Sequence, residues 1–140
     1  MSLGAFGLTT NGTASDLTIL GAATTACNAI VGLTAMQALT VTLDFRYGSG
    51  GTTTRAYIQV SVDGGNSWMD IACWSVATTP VKKVWNFSAL TPVNAVTPTD
   101  GAMSDNTVQD GMLGDRVRVK VITTGTYAGA TTLVGRMVAH

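Results

Sequence analysis

The stretch Leu39-Thr40-Val41-Thr42-Leu43-Asp44-Phe45-Arg46 decides the fold. Apolar residues fill every odd position and polar residues every even one. Alternation of period two puts successive side chains on opposite faces, which is the pattern of a strand with one dry and one wet side. The pattern returns near the end of the chain, where Val117, Val119 and Val121 alternate with Arg116, Arg118 and Lys120. Working outward, β-rich runs at 16–20, 57–62, 68–76, 81–87 and 131–138 predict further strands. Gly48-Ser49-Gly50-Gly51, a Pro-, Asp- and Gly-rich stretch over 91–114, and residues 125–130 supply the turns between them. The expectation is an all-β chain, a β-sandwich with a jelly-roll-like course and seven to eight strands. Residues 1–15 are expected to form a flexible N-terminal arm ahead of one domain over 16–140. The segment 24–37 is open between irregular chain and one short helix.

Composition narrows the function. Of the 140 residues only 11% are charged, against roughly 25% in an ordinary soluble domain. Thr, Ser, Gly and Asn take the place of the missing charge, and Thr suits the outward face of strands. All eight acids are Asp, with no Glu, and only three residues are Lys. A neutral chain with no basic stripe is a poor partner for nucleic acid. The uncharged run 19–43 is interrupted too often by Thr, Asn and Gln to span a bilayer, so no membrane partner is expected. The start, Met1-Ser2-Leu3-Gly4, lacks the features of a secretory signal. A surface this poor in charge is a solubility hazard for a lone protomer, which implies that other subunits cover part of it.

Catalysis finds little support. The sole imidazole is His140, the two thiols are Cys27 and Cys73, and most of the aspartates stand beside Gly, Asn or Ser as turn formers. Neither a Ser–His–Asp triad nor a zinc site can be assembled from these residues, and no enzyme activity or cofactor is expected. Asp100, Asp105, Asp110 and Asp115 could offer oxygen ligands to Ca²⁺, but equally they are ordinary Asp/Gly turns. Cys27 and Cys73 either pair or act as two small buried hydrophobes. Arg116, Arg118 and Lys120 form a basic strand face, read as pairing with Asp on a neighbouring strand in preference to an acidic partner. Among the tryptophans, Trp68 and Trp85 are expected in the core. Trp74 is open to a sugar-stacking role beside Tyr127 if it shares the face of Trp68.

The sharpest local motif is Ser61-Val62-Asp63-Gly64-Gly65-Asn66-Ser67-Trp68, which resembles the Asp-box of sialidase-like propellers, with Ser67 in place of Thr. It implies a structural hairpin carried by Ser61, Asp63, Gly65, Ser67 and Trp68, with no glycosidase chemistry. Four longer phrases carry a second resemblance: 57–65, Trp68-Met69-Asp70-Ile71-Ala72, 113–120 and 124–133. Over 39–140 the chain looks like small β-rich virion proteins of tailed phages and prophages. That resemblance implies a particle subunit, assembled in the host cytoplasm and found in the virion. A head-decoration protein fits best, packing against the major capsid protein, or another virion protein, and against its own sister subunits, with a trimer as the first expectation. A carbohydrate- or receptor-binding module and a head–tail or tail component are the alternatives. The residues expected at partner contacts are Leu3, Phe6 and Leu8 in the arm, Ile30, Leu33 and Met36 in the uncharged stretch 22–38, and Trp74.

Overall fold

A computed structural model describes residues 2–5, 17–19, 21 and 23–139 of the chain. All regular structure among them is β. The strands are β1 (Ser2–Ala5), β2 (Leu17–Thr18), β3 (Ala23–Ala26), β4 (Ala38–Arg46), β5 (Ser49–Gly50) and β6 (Thr53–Ser61). They continue as β7 (Met69–Val76), β8 (Val81–Ser88), β9 (Arg116–Thr124), β10 (Tyr127–Ala128) and β11 (Thr132–Ala139). The described residues include no helix long and apolar enough to cross a membrane. The segment left open at 24–37 forms β3 and then irregular chain that follows the edge of β9, with Cys27 donating to Val119 and Ile30 bridging Val117.

Two antiparallel sheets make a β-sandwich. The first has the order β1-β11-β4-β8, with β2 also on β11, and the second has the order β3-β9-β6-β7. The pairing is nested: β2 with β11, β3 with β9, β4 with β8, and β6 with its neighbour β7. A small ladder of β5 with β10 closes one end.

The alternation at 39–46 does what its period requires. Leu39, Val41, Leu43 and Phe45 are fully buried against the other sheet, and Thr40, Thr42 and Asp44 lie on the opposite face. Across the core, Val117, Val119 and Val121 of β9 and Ala56, Ile58 and Val60 of β6 meet them. Trp74 and Trp85, from β7 and β8, pack edge-to-face with ring centroids 5.5 Å apart. The Tyr127 ring stands edge-on to Phe45 at 6.0 Å, and its hydroxyl donates to the Ala77 carbonyl. A buried hydroxyl that reaches a carbonyl avoids the desolvation cost of an unpaired one.

Cys27 and Cys73 form no disulfide, and both are buried. Burial pushes the Cys27 thiol up to about 12, so it stays protonated and behaves as a small hydrophobe.

The alternation makes a direct prediction for stability. Leu43→Ala, at a position with no exposure, lowers unfolding free energy by about 2–5 kcal/mol. Thr42→Ala, one residue earlier and on the other face, changes it by about 0.5 kcal/mol or less. Urea denaturation of both variants checks this, and equal effects would remove the assigned faces.

Candidate interaction surface

The two sheets differ in what covers their outer faces. Over the second sheet runs the loop 89–115, and it is pinned there by Asp70. A bulge in the β6–β7 ladder pairs Ile58 with Ala72 but Gln59 with Asp70, leaving Ile71 as the extra residue. The bulge turns Asp70 onto the outer face beside Gln59, and both are buried there. Asp70 then accepts from the successive amides of Gly101, Ala102 and Met103 at 2.9–3.2 Å, from the Thr99 hydroxyl at 2.9 Å and from Gln59 Nε2 at 2.7 Å. Three amides aimed at one carboxylate form an anion-binding nest, here filled from within the chain.

Further contacts secure the loop along β7. Asp70 N donates to Thr99, Cys73 N to Thr107 and Gln109 N to Ile71, so the outer edge of β7 is closed. Asp100 receives Gln59 Nε2 at 2.7 Å and Lys120 Nζ at 3.0 Å, with Arg118 at 3.7 Å. Burial raises its carboxyl, but the Gln59 and Lys120 contacts outweigh that and hold it below the ordinary range. Arg55 donates to Asp105 at 2.6 Å and holds that carboxyl low as well. The basic face Arg116–Arg118–Lys120 therefore finds its acids mainly on the covering loop, where the sequence suggested a neighbouring strand.

The aspartates of the loop are engaged separately. Asp110 accepts from Ser88 N and Gly111 N, and Asp115 lies 3.8 Å from Arg116. Among the described residues no three acidic, thiol or imidazole groups converge as metal ligands would.

The Asp-box-like hairpin forms between β6 and β7 with the residues expected. Asp63 Oδ1 accepts from Ser67 N and from the Ser61 hydroxyl, and Oδ2 accepts from the Ser67 hydroxyl at 2.5 Å. Gly65 N donates to Ser61 Oγ, and its φ of +92° is a conformation that glycine adopts without strain. Hydrogen bonds from Ser67 and Ser61 hold the Asp63 carboxyl down at about 2. Beside the turn, Val60, Val62, Trp68, Met69, Pro98 and Met112 line an apolar cavity of about 170 Å³.

The tryptophans correct the sequence expectation. Counted without a bulge, Trp68 and Trp74 share a face; the bulge at Ile71 separates them. Trp68 goes outward and is only partly buried, with the Arg118 guanidinium stacked 4.2 Å from its ring centre. Trp74 goes inward and keeps only 4% of its surface, and Tyr127 keeps 2%. A sugar platform of Trp74 with Tyr127 is therefore absent from the surface, and so is Trp74 as a partner contact. Leu33 is likewise a core residue, and Ile30 and Met36 pack partly buried against that core. Leu3 lies in β1, which pairs antiparallel with the end of β11; Phe6 and Leu8 are outside the described residues.

Among the described residues, nothing covers the outer face of the first sheet. Its rows run Val84–Thr42–Arg136 and Asn86–Thr40–Val138 across β8, β4 and β11. Val84 is 53% exposed, and Thr40 donates its hydroxyl to Asn86 Oδ1 at 2.7 Å. Lys82, Asp44 and Arg46 lie at one end, with Arg46 bonded to Asp44 at 3.1 Å, and Arg136 stands beside Thr42 in the middle of the face. Sequence composition placed the expected contact surface on the N-terminal arm and on 22–38; within the latter, β3 and Ile30 lie along β9. Asp70 and Gln59, an acid and an amide set among the apolar residues 56–60 and 69–74, were the unused signal that something covers the second sheet instead.

Comparison with protein-family models, with curated proteins and with solved structures finds no match.

Two outcomes test the covering and the hairpin. Asp70→Ala strands several buried donors, costs about 2–4 kcal/mol, and speeds hydrogen exchange of the amides at 101–103; unchanged exchange there would refute the pin. For Asp63, the folded carboxyl is depressed from the ordinary 3.8 to about 2. Its contribution is therefore complete above the ordinary value and is lost as pH falls toward about 2. Asp63→Asn should flatten the acid limb of the stability profile over that window, and an unaltered limb would exclude the role.

Proposed function

We propose that the chain is a non-enzymatic structural subunit of a phage particle, stabilising the capsid by packing the open face of its first sheet against capsid protein and sister subunits. The observation that carries this is the asymmetry of cover. One sheet is covered by the chain's own loop, and the other presents Thr, Val and Asn to solvent together with Arg136 and, at one end, Lys82, Asp44 and Arg46. Lys82, Asp44, Arg46 and Arg136 carry charge on this face, and the Thr40, Thr42, Val84, Asn86 and Val138 side chains between them are small polar or apolar groups that lose their water at modest cost.

The pairing scheme gives secondary support. Nested pairs closing from the outside in, split over two sheets, are what a jelly roll requires, an arrangement shared by viral capsid and lectin domains. Fold alone assigns no role. Between those two uses, burial of Trp74 and Tyr127 counts against the sugar-binding one.

The test uses shells of the particle produced by the source strain. Wild-type protein is expected to co-sediment with them and to raise the temperature at which they rupture. Thr42→Glu puts a charge at the centre of the face and should weaken this binding by roughly tenfold or more without unfolding the protein. Wild-type protein that leaves the shells untouched, or binding indifferent to Thr42→Glu, would reject the proposal.

A further inference from the structure

The edges of the two sheets are not equally protected. On the second sheet, β7 is closed by the loop and β3 is only four residues long. On the first sheet, β11 carries β1 and β2. That leaves β8, eight residues long and paired on one side only. Which of its groups face outward follows from its neighbours. Ala89 N donates to Gln37 O, so in the β4–β8 register the odd-numbered residues of β8 bond to β4. The even-numbered residues Lys82, Val84, Asn86 and Ser88 turn their N–H and C=O groups away from β4. At Ser88 both groups are taken, N by Asp110 and O by Gly111. At Lys82, Val84 and Asn86 no described residue meets them. An open row of this kind is a template for another strand.

We infer that the edge of β8 pairs antiparallel with β8 of a second copy, about a two-fold axis at Val84. Four features select this occupant and this register. An axis at Val84 sets Val84 against Val84 and Lys82 against Asn86 of the other copy. Outward-pointing residues then meet only outward-pointing residues, and each pair exchanges two N–H···O bonds. The same register brings Pro80 opposite Ser88. Proline has no N–H to offer, and Ser88 needs none because its own loop already satisfies it. Charge agrees with the pairing. Lys82, the ordinary guard of such an edge, faces a neutral Asn. The two Lys82 residues stand four positions apart, about 13 Å along the strand and beyond a Debye length of about 8 Å. Finally, Val84, the most central residue of the edge, is 53% exposed in the protomer, and the axis covers it with its own copy.

Pairing at β8 joins the two first sheets into one continuous sheet, so the open faces of both protomers lie side by side. The sister contact is thus two-fold, where the resemblance to phage proteins led to the expectation of a trimer. The inference deepens the self-association in the proposed function, but it is tested without any particle. Sedimentation velocity on the purified chain, up to about 1 mM, is expected to show a concentration-dependent dimer. Val84→Lys places like charges face to face on the axis and should weaken it by roughly fivefold or more. Asn86→Asp gives Lys82 of the other copy a counter-charge and should tighten it, which keeps the test decisive if Val84→Lys folds poorly. A monomer throughout the range, or an oligomer that ignores both substitutions, overturns the β8 pairing. Neither result touches binding to shells, which is measured separately.

Discussion

A carboxylate sealed beneath a loop can persist only if donors surround it, and Asp70 has them in three consecutive amides, a threonine hydroxyl and a glutamine side chain. Much else follows from that contact. It holds 99–103 across the outer face of the second sheet and brings Asp100 within reach of Arg118 and Lys120. With the loop in place, the edge of β7 is closed. Without it, both sheets would show bare faces and β7 would be a second open edge. The asymmetry that gives this molecule one covered side and one uncovered side is therefore electrostatic in origin. Asp70 is its most densely bonded anchor, and the Arg55–Asp105 and Asp100–Lys120 pairs and the backbone contacts along β7 add to it.

The strands were legible because their signal is local. Alternation at 39–46 and 116–121 gave the buried face residue by residue, and the hairpin at 61–68 announced its own hydrogen bonds through Ser61, Asp63 and Ser67. Trp68 and Trp74 show where local reading stops. Their relative orientation depends on one extra residue, Ile71, whose apolar side chain fits either face, so nothing in the sequence marks the bulge. Leu33 illustrates a second limit. An uncharged stretch reads the same whether its neighbours come from the same chain or from another. Here Leu33 N bonds to Asp115 O and the side chain enters the core. Low charge measures how much dry surface exists, and only the fold says whose it is.

Close approach of backbones fixes the geometry where the loop returns to the second sheet. Gly114 lies so near the Ser61 carbonyl that an added Cβ would overlap it, and Asp115 N bonds to that same carbonyl. The hairpin end of β6 and the start of β9 are thereby set together, which keeps Arg118 over Trp68. The covered side is thus tied at the hairpin as well as at Asp70.

Nested pairing has a bearing on biosynthesis. β11 lies between β4 on one side and β1 with β2 on the other, so the middle of its sheet is the stretch translated after every strand it joins. Ser2 lies opposite Val138, so that pair can form only after everything between them has been made. Strands paired at such separation close slowly, because loop entropy must be overcome before any contact rewards it. The nascent protein consequently waits with unpaired edges in view until the last strand of its sheet slots in.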